Sequence, residues 1–136
     1  MSLAITGVSP MLKTRDLTGT IAFYTKTLNF TVANRMDGDD GNPYWCCLRS
    51  GGATVMFYSM DSLDAPPGPP SMTGVLYFNP ADVRALWTEL KDKAAVEWEL
   101  QEMGYGMLEF AIRDCNGYIL SFGQEVDKTA KDCVHW

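Results

Sequence analysis

Alternating apolar and polar residues near the end of the chain predict a β-hairpin. Over residues 107–113 every second position is large and apolar, as in a strand with one apolar face and one mixed face. Asn116 and Gly117 follow, and both residue types tolerate the positive φ of a tight turn. A second strand is predicted over residues 118–123, so the chain reverses direction at this turn.

An earlier stretch repeats this plan. Residues 45–59 again predict two strands around a glycine turn, with Gly52 and Phe57 where the later hairpin has Gly117 and Phe122. The sequence therefore predicts two similar modules in one chain.

Helical spacing of apolar residues predicts one helix in each half. Asp16 or Thr18 is a suitable N-cap for the first helix, which runs through about Leu28. Asp82 leads the second helix, which continues through Lys93. The apolar residues expected to face a sheet are Leu17, Ile21, Tyr24 and Leu28 in the first helix and Val83, Leu86, Trp87 and Leu90 in the second.

The other segments complete two β-α-β-β-β modules. Further strands are predicted over residues 5–14, 30–36, 44–49, 53–58, 73–79 and 95–100. Four prolines within residues 63–71 exclude regular structure and predict a linker, with a proline-rich recognition motif as the alternative. The predicted modules span about residues 5–60 and 72–125, and residues 126–136 form a polar tail.

Composition and charge narrow the class of protein. With 136 residues, 46% of them hydrophobic and 21% charged, the chain is expected to form one soluble globular domain. No apolar run is long enough to span a membrane, and no secretory signal pattern is present. A net charge of −6 argues against nucleic acid as a partner. The four cysteines lack C-x-x-C spacing, which favours reduced thiols and a cytoplasmic location.

Two sequence segments resemble a known family. TRDLTGTIAFYTKTLNF (residues 14–30) and YGMLEFAIRDCNGYILSFGQE (residues 105–125) resemble the glyoxalase/bleomycin-resistance/extradiol-dioxygenase group, the vicinal oxygen chelate superfamily. Cys115 and Asn116 replace the middle pair of the family's usual Asp-Pro-Asp/Glu-Gly turn. The resemblance implies an α+β fold, in which two tandem βαβββ modules form curved mixed sheets around a cleft. It also implies a homodimer, as is typical of small antibiotic-resistance members.

The resemblance implies four places where family enzymes hold a divalent metal, usually with His, Gln or Glu. Counting along the chain puts these places at Ser9, Met56, Val75 and Ser121, none of them a good ligand. The sole histidine, His135, lies next to the C-terminus of the sequence. We therefore expect no metal ion, no cofactor and no catalytic residue.

Strand alternation and the internal repeat predict which side chains contact a ligand. The predicted ligand-binding residues are Trp45, Cys47, Met56, Tyr58, Trp98, Met103, Tyr105, Glu109 and Ser121. Such an aromatic, methionine-rich surface with one carboxylate suits flat heteroaromatic or cationic ligands. Alternatively, Glu109 pairs with Arg113 or Arg49, and the tryptophans belong to the core or a dimer interface.

The favoured interpretation is a metal-free, dimeric protein that binds and sequesters a small aromatic or cationic drug or metabolite. The alternative is a metal-dependent lyase, isomerase or dioxygenase of the same superfamily. In that case a different strand register would make Glu97, Glu99, Glu102 or Glu109 a metal ligand. A third interpretation is an interaction domain with a vestigial cleft. Whether the protein is an enzyme stays open at this point, with a binding protein favoured.

Overall fold

The computed structural model describes residues 3–61 and 66–126. By its internal contacts the chain divides into two units, Met1–Pro70 and Ser71–Trp136. Residues 63–65 of the predicted linker and residues 127–136 of the predicted tail, which include Cys133 and His135, lie outside the described residues. In the described part of the chain, no helix is both long and apolar enough to cross a membrane.

Within the described residues, each unit contains one helix and one four-stranded mixed sheet. The first unit comprises β1 (Met11–Thr14), α1 (Leu17–Ala22) continued by a π-helical turn (Phe23–Thr27), β2 (Thr31–Asp37), β3 (Pro43–Ser50) and β4 (Ala53–Ser59). The second unit comprises β5 (Leu76–Phe78), α2 (Val83–Leu90), β6 (Ala95–Glu102), β7 (Met107–Arg113) and β8 (Ile119–Glu125). The sheet orders are β1-β4-β3-β2 and β5-β8-β7-β6, with the first strand of each parallel to its neighbour and the other pairs antiparallel. The predicted α+β fold with a repeated βαβββ plan is confirmed.

Several predicted boundaries were wrong by a few residues. The strand predicted over residues 5–14 begins only at Met11, because its pairing with β4 starts there. The strand predicted over residues 73–79 shortens to β5 for the same reason. Both helices end before their predicted last residues, Leu28 and Lys93.

Aspartate caps fix the starts of both helices. The Asp16 carboxylate accepts a hydrogen bond from the Gly19 backbone N–H at 2.9 Å, which decides between the two predicted caps. Asp82 accepts from the Ala85 backbone N–H at 3.1 Å in the same way. The repeat in sequence is therefore also a repeat in local hydrogen bonding.

Aromatic rings form the contact between helix and sheet in each unit. In the first unit, the Tyr24 ring lies 5.0 Å from that of Phe57. In the second unit, Trp87 packs 5.2 Å from Phe110, which stacks 5.0 Å from Phe122. Trp87 is thus a packing residue, as the helical spacing indicated.

One buried carboxylate organises the β7–β8 turn. Asp114, 6% exposed, accepts hydrogen bonds from the backbone N–H groups of Asn116 and Tyr118, both at 2.9 Å. Gly117 has a φ of +86°, but Asn116 does not take the positive φ that its residue type allowed. The turn therefore depends on a side-chain acceptor and on a single glycine.

We expect Asp114→Ala to destabilise the protein by about 1–1.5 kcal/mol, because two backbone donors lose their acceptor. Urea unfolding followed by circular dichroism measures this change. Asp39→Ala, at an exposed loop position, is the control and should change the free energy of unfolding by less than about 0.5 kcal/mol. Equal effects of the two substitutions would show that the Asp114 bonds do not stabilise the turn.

Candidate functional site

The second unit's sheet has two different faces. Phe110 pairs with Phe122 and Ile112 with Leu120, and this face packs on α2 through Trp87. The opposite face carries three pairs of partners: Glu109 with Gly123, Ala111 with Ser121, and Ser121 with Tyr77. We refer to this second surface as the Glu109 face.

Glu109 is a buried carboxylate held by two tyrosines. Glu109 is only 3% exposed. Tyr77 donates to Oε2 at 2.5 Å and Tyr105 donates to the same oxygen at 2.7 Å. Among residues 3–61 and 66–126, no donor lies within hydrogen-bond distance of Oε1. One oxygen is thus fixed by the protein and the other is open.

A glycine-flanked turn brings Tyr105 to the carboxylate. Gly104 and Gly106 stand on either side of Tyr105, and Gly106 has a φ of +85°. The turn is closed by hydrogen bonds between Met103 and Met107 and from Gly106 to Met103. Tyr105 remains 52% exposed although its hydroxyl reaches Glu109. The tyrosine therefore covers the carboxylate from the solvent side.

Both tyrosine hydroxyls are held in their neutral, donating form. Loss of hydration, and then the hydrogen bond to Glu109, raise the pKa of Tyr105 to about 12. The same two causes raise the pKa of Tyr77 well above its ordinary range. The two phenols stay donors over the physiological pH range.

We expect the protein to lose stability at alkaline pH as these phenols ionise. A raised pKa means that the folded protein holds its proton longer than the unfolded chain, whose tyrosines ionise near 10.0. The Tyr105 contribution is complete below pH 10.0 and falls as the pH rises through about 12. Tyrosinate absorbance measures the late ionisation, which Tyr105→Phe should reduce and Tyr44→Phe should leave in place. A wild-type titration complete near 10.0 would contradict the arrangement.

Two buried polar atoms on the Glu109 face have no partner in the described part of the chain. They are the indole Nε1 of Trp98 and the hydroxyl Oγ of Ser121. Ser121 and Trp98 both pair with Ala111, so they lie in one row across β8, β7 and β6. Unsatisfied polar groups are rare inside proteins, because burying them without a partner costs free energy. This pair calls for a specific explanation.

Tyr77 packs directly over the backbone of Gly123. A Cβ atom built on Gly123 would overlap the Tyr77 hydroxyl and lie 2.5 Å from Cζ. Only glycine at this position lets the tyrosine reach Glu109. Gly123 and Tyr77 thus act together to position the carboxylate.

The structure places all five predicted site residues of the second unit on or beside the Glu109 face. Trp98, Glu109 and Ser121 lie on its strands, and Met103 and Tyr105 lie in the adjoining turn. The alternative pairing of Glu109 with Arg113 is wrong, because Arg113 donates to Glu97 at 2.6 Å.

The four predicted site residues of the first unit share one face of its sheet. Trp45 pairs with Tyr58, and Cys47 pairs with Met56. All four are partly exposed. They stay predicted ligand contacts.

Sequence reasoning missed Tyr77. The counted places Ser9 and Val75 precede their strands, and the residues that pair with Met56 and Ser121 are Met11 and Tyr77. The parallel register, which fixes these partners, is not readable from a count along the chain. The count fell on Val75, and a count two residues longer would have put the predicted place at Tyr77.

The residues at these places do not fit the superfamily's metal. The places that the resemblance implies at Met56 and Ser121 pair with Met11 and Tyr77, and none of these four residues is one of the family's usual His, Gln and Glu ligands. Within residues 3–61 and 66–126, no three His, Cys, Asp or Glu side chains are grouped so that they could hold a metal ion. Glu109, the nearby carboxylate, has one oxygen already bonded to two tyrosines.

Comparison with known proteins decides the family. The sequence model of one protein family, the glyoxalase/bleomycin resistance protein/dioxygenase superfamily, matches residues 8–122, which is most of the chain. The chain belongs to this superfamily. No curated protein sequence matches the chain significantly.

Several solved structures share the fold. TioX from Micromonospora sp. ML1 is 17% identical, with 89% of this chain and 99% of that chain covered and a TM-score of 0.74. TnmS3, an antibiotic binding protein from Streptomyces sp. CB03234, is 24% identical over 91% of this chain and 99% of that chain, with a TM-score of 0.69. A glyoxalase-related enzyme from Clostridium phytofermentans is 18% identical, with 90% of this chain and 97% of that chain covered and a TM-score of 0.72. At these identities the likeness concerns the fold alone, which an antibiotic binding protein and a glyoxalase-related enzyme both have.

Proposed function

We propose that the protein is a metal-free small-molecule binding protein that sequesters an aromatic, cationic drug or metabolite on the Glu109 face. The observation that carries the proposal is the state of Glu109. The carboxylate is buried, has Oε2 bonded to Tyr77 and Tyr105, and keeps Oε1 without a described donor. A buried carboxylate oxygen gains most from a charged or strongly polar donor, and a ligand cation supplies one.

The surroundings of Glu109 favour an aromatic ligand over an aliphatic cation. Tyr77, Tyr105 and Trp98 present rings on or beside the same face, and such rings both stack on flat ligands and attract cations. The antibiotic binding protein TnmS3, which shares the fold, supports a binding role of this kind.

The two tyrosines favour binding over acid–base catalysis by Glu109. A general base must be free to move to the proton that it accepts, but here two hydroxyls donate to Oε2 and fix the orientation of the carboxylate. Such an arrangement holds a negative charge in place. It suits recognition of a positive group.

Calorimetric titration with two related acridines tests the proposal. 9-Aminoacridine is a flat cation at neutral pH with an amine donor, whereas acridine is a neutral ring of the same shape. We expect 9-aminoacridine to bind at least about 10-fold more tightly, as a charge-assisted hydrogen bond should contribute about 1.5 kcal/mol or more. Equal affinities, or no binding of either compound, would refute the proposal.

Elemental analysis tests the metal-free part of the proposal. The purified protein is loaded with Mn, Fe, Ni or Zn in turn and then dialysed. We expect none of these ions to be retained at a stoichiometric level. Stoichiometric retention would instead favour a metal-dependent lyase, isomerase or dioxygenase.

We further propose that the protein forms a homodimer. Leu3, Ile5 and Val8 belong to a segment in no strand and are 89–95% exposed, an apolar surface that a second copy would cover. Light scattering after size-exclusion chromatography measures the molar mass. A monomeric mass at micromolar concentration would contradict the dimer.

A further inference from the structure

One lysine of the first unit holds three consecutive backbone carbonyls of the proline-rich segment. Lys13 Nζ donates to the carbonyl oxygens of Pro66 at 2.5 Å, Pro67 at 3.2 Å and Gly68 at 3.0 Å. A lysine ammonium has three N–H donors and no acceptor, which matches the three carbonyls in number. The partners are 53 to 55 residues apart in the sequence, so the contact ties two distant segments together. We refer to residues 66–68 as the strap.

Gly68 gives the strap the bend that this contact needs. Prolines favour a polyproline II helix, which has three residues per turn, so that successive carbonyls point in different directions. Gly68 has a φ of +102°, and this interrupts the helix between the second and third carbonyls of the strap. A Cβ atom built on Gly68 would meet nothing within 4 Å. The glycine is therefore needed for its backbone conformation and not for space.

The bonds to Lys13 are the strap's polar attachment to the first unit. All three strap residues are exposed, so the strap is not part of the core. Among residues 3–61 and 66–126, no backbone–backbone hydrogen bond joins the strap to another segment. The attachment therefore depends on charge-assisted hydrogen bonds from one side chain.

Lys13 places the strap beside predicted ligand contacts of the first unit. Lys13 pairs with Tyr58, and Tyr58 pairs with Trp45. Paired residues of neighbouring strands point to the same face, so these three side chains form one row across β1, β4 and β3. β1 is the outermost strand at one end of the sheet order. The strap thus borders the row at its β1 end.

We propose that the strap is a releasable cover at the β1 end of this row, held closed by the charge of Lys13. In the closed state the ammonium binds the three carbonyls. A neutral side chain of the same length cannot supply charge-assisted bonds, so loss of the charge opens the strap. The prolines favour closing, because their fixed φ limits the conformations that the open strap can gain.

Nuclear magnetic resonance of the Lys13→Met variant tests the proposal. Gly68 carries the only backbone N–H group within residues 66–70, and we expect its order parameter S² to be about 0.8 in the wild type. We also expect scalar couplings from the Lys13 ammonium nitrogen to the strap carbonyl carbons. Lys13→Met removes the charge and should lower S² of Gly68 below about 0.6. Lys26→Met, at an exposed position of the same unit, is the control and should leave S² unchanged.

Gly68→Ala tests the same contact from the other side. Alanine is strained at a φ of +102°, so we expect the strap to leave Lys13 and the couplings to its ammonium to be lost. Gly7→Ala, which also has nothing within 4 Å of the added atom, should keep them. Opening of the strap in Gly68→Ala should also increase the effect of a soluble gadolinium chelate on the ring signals of Tyr58.

The outcomes decide the proposal even if one variant does not fold. An ordered Gly68 in Lys13→Met, or ammonium couplings that persist in Gly68→Ala, would overturn it. A wild-type protein without these couplings would also overturn it. Unchanged accessibility of Tyr58 in a Gly68→Ala protein that has lost the couplings would show that the strap covers nothing. If Lys13→Met fails to fold, the couplings and the Tyr58 signals in Gly68→Ala give the answer.

Discussion

Glu109→Gln is expected to weaken 9-aminoacridine binding about 30-fold without unfolding the protein. The amide oxygen of glutamine can still accept from Tyr77 and Tyr105, as Oε2 does in the wild type. Its NH₂ group then takes the place of Oε1 and presents donors where the ligand needs an acceptor. The loss of charge and the reversed hydrogen bond together account for about 2 kcal/mol. Calorimetric titration of the variant and the wild type measures the change.

Two controls make this result specific. Glu99→Gln, at an exposed position of β6 in the same unit, removes a charge without altering the Glu109 face and should leave the affinity unchanged. Neutral acridine should bind the wild type and the Glu109→Gln variant with the same affinity within about twofold, because it makes no charge-assisted bond. A folded Glu109→Gln variant with wild-type affinity for 9-aminoacridine would remove the carboxylate from the binding site.

Gly123→Ala is expected to destabilise the protein by about 2–3 kcal/mol and to weaken ligand binding as well. The new methyl group would overlap the Tyr77 hydroxyl, so the ring must move and the 2.5 Å bond to Glu109 is lost. Overpacking costs about 1–3 kcal/mol, and a buried carboxylate without its donor adds to it. Urea unfolding gives the stability change. Gly74→Ala, with nothing within 4 Å of the added atom, should change the free energy of unfolding little.

A double-mutant cycle ties the Gly123 effect to Tyr77. In the Tyr77→Ala background the ring is absent, so Gly123→Ala should cost less than about 0.5 kcal/mol. The coupling energy between the two positions should then be about 2 kcal/mol. An undiminished cost in that background would mean that the glycine is required for another reason, and the tyrosine's position would need a different explanation.

The fold was predictable because both halves of the sequence carry the same pattern of strands and helix caps. The apolar alternation of β7 and the aspartates before both helices are local signals, and each has the predicted structural role. Local sequence patterns predict strands, helix caps and turns well. The first strand was overextended because residues 5–10 have strand-like composition but no partner strand among the described residues. Pairing, which is not local, decides where such a strand begins.

The site was predictable only in part, for the same reason. The positions of Glu109, Tyr105 and Ser121 on or beside one face follow from strand and turn patterns in the sequence, and their contact with a ligand stays a prediction. Tyr77 was missed because its place beside Ser121 depends on the parallel register of β5 with β8. The face of Trp98 depends on a register shift that period-2 alternation does not contain. Contacts between distant segments thus determine what the local pattern leaves undefined.

A crystal structure of the protein with 9-aminoacridine tests the central claim most directly. We predict that the acridine ring lies on the Glu109 face, with its amine donating to Glu109 Oε1 while Tyr77 and Tyr105 keep their bonds to Oε2. The distance between the amine nitrogen and Oε1 should be about 2.8 Å, as in other charge-assisted hydrogen bonds. A ligand bound elsewhere, or bound with its amine away from the carboxylate, would contradict the account.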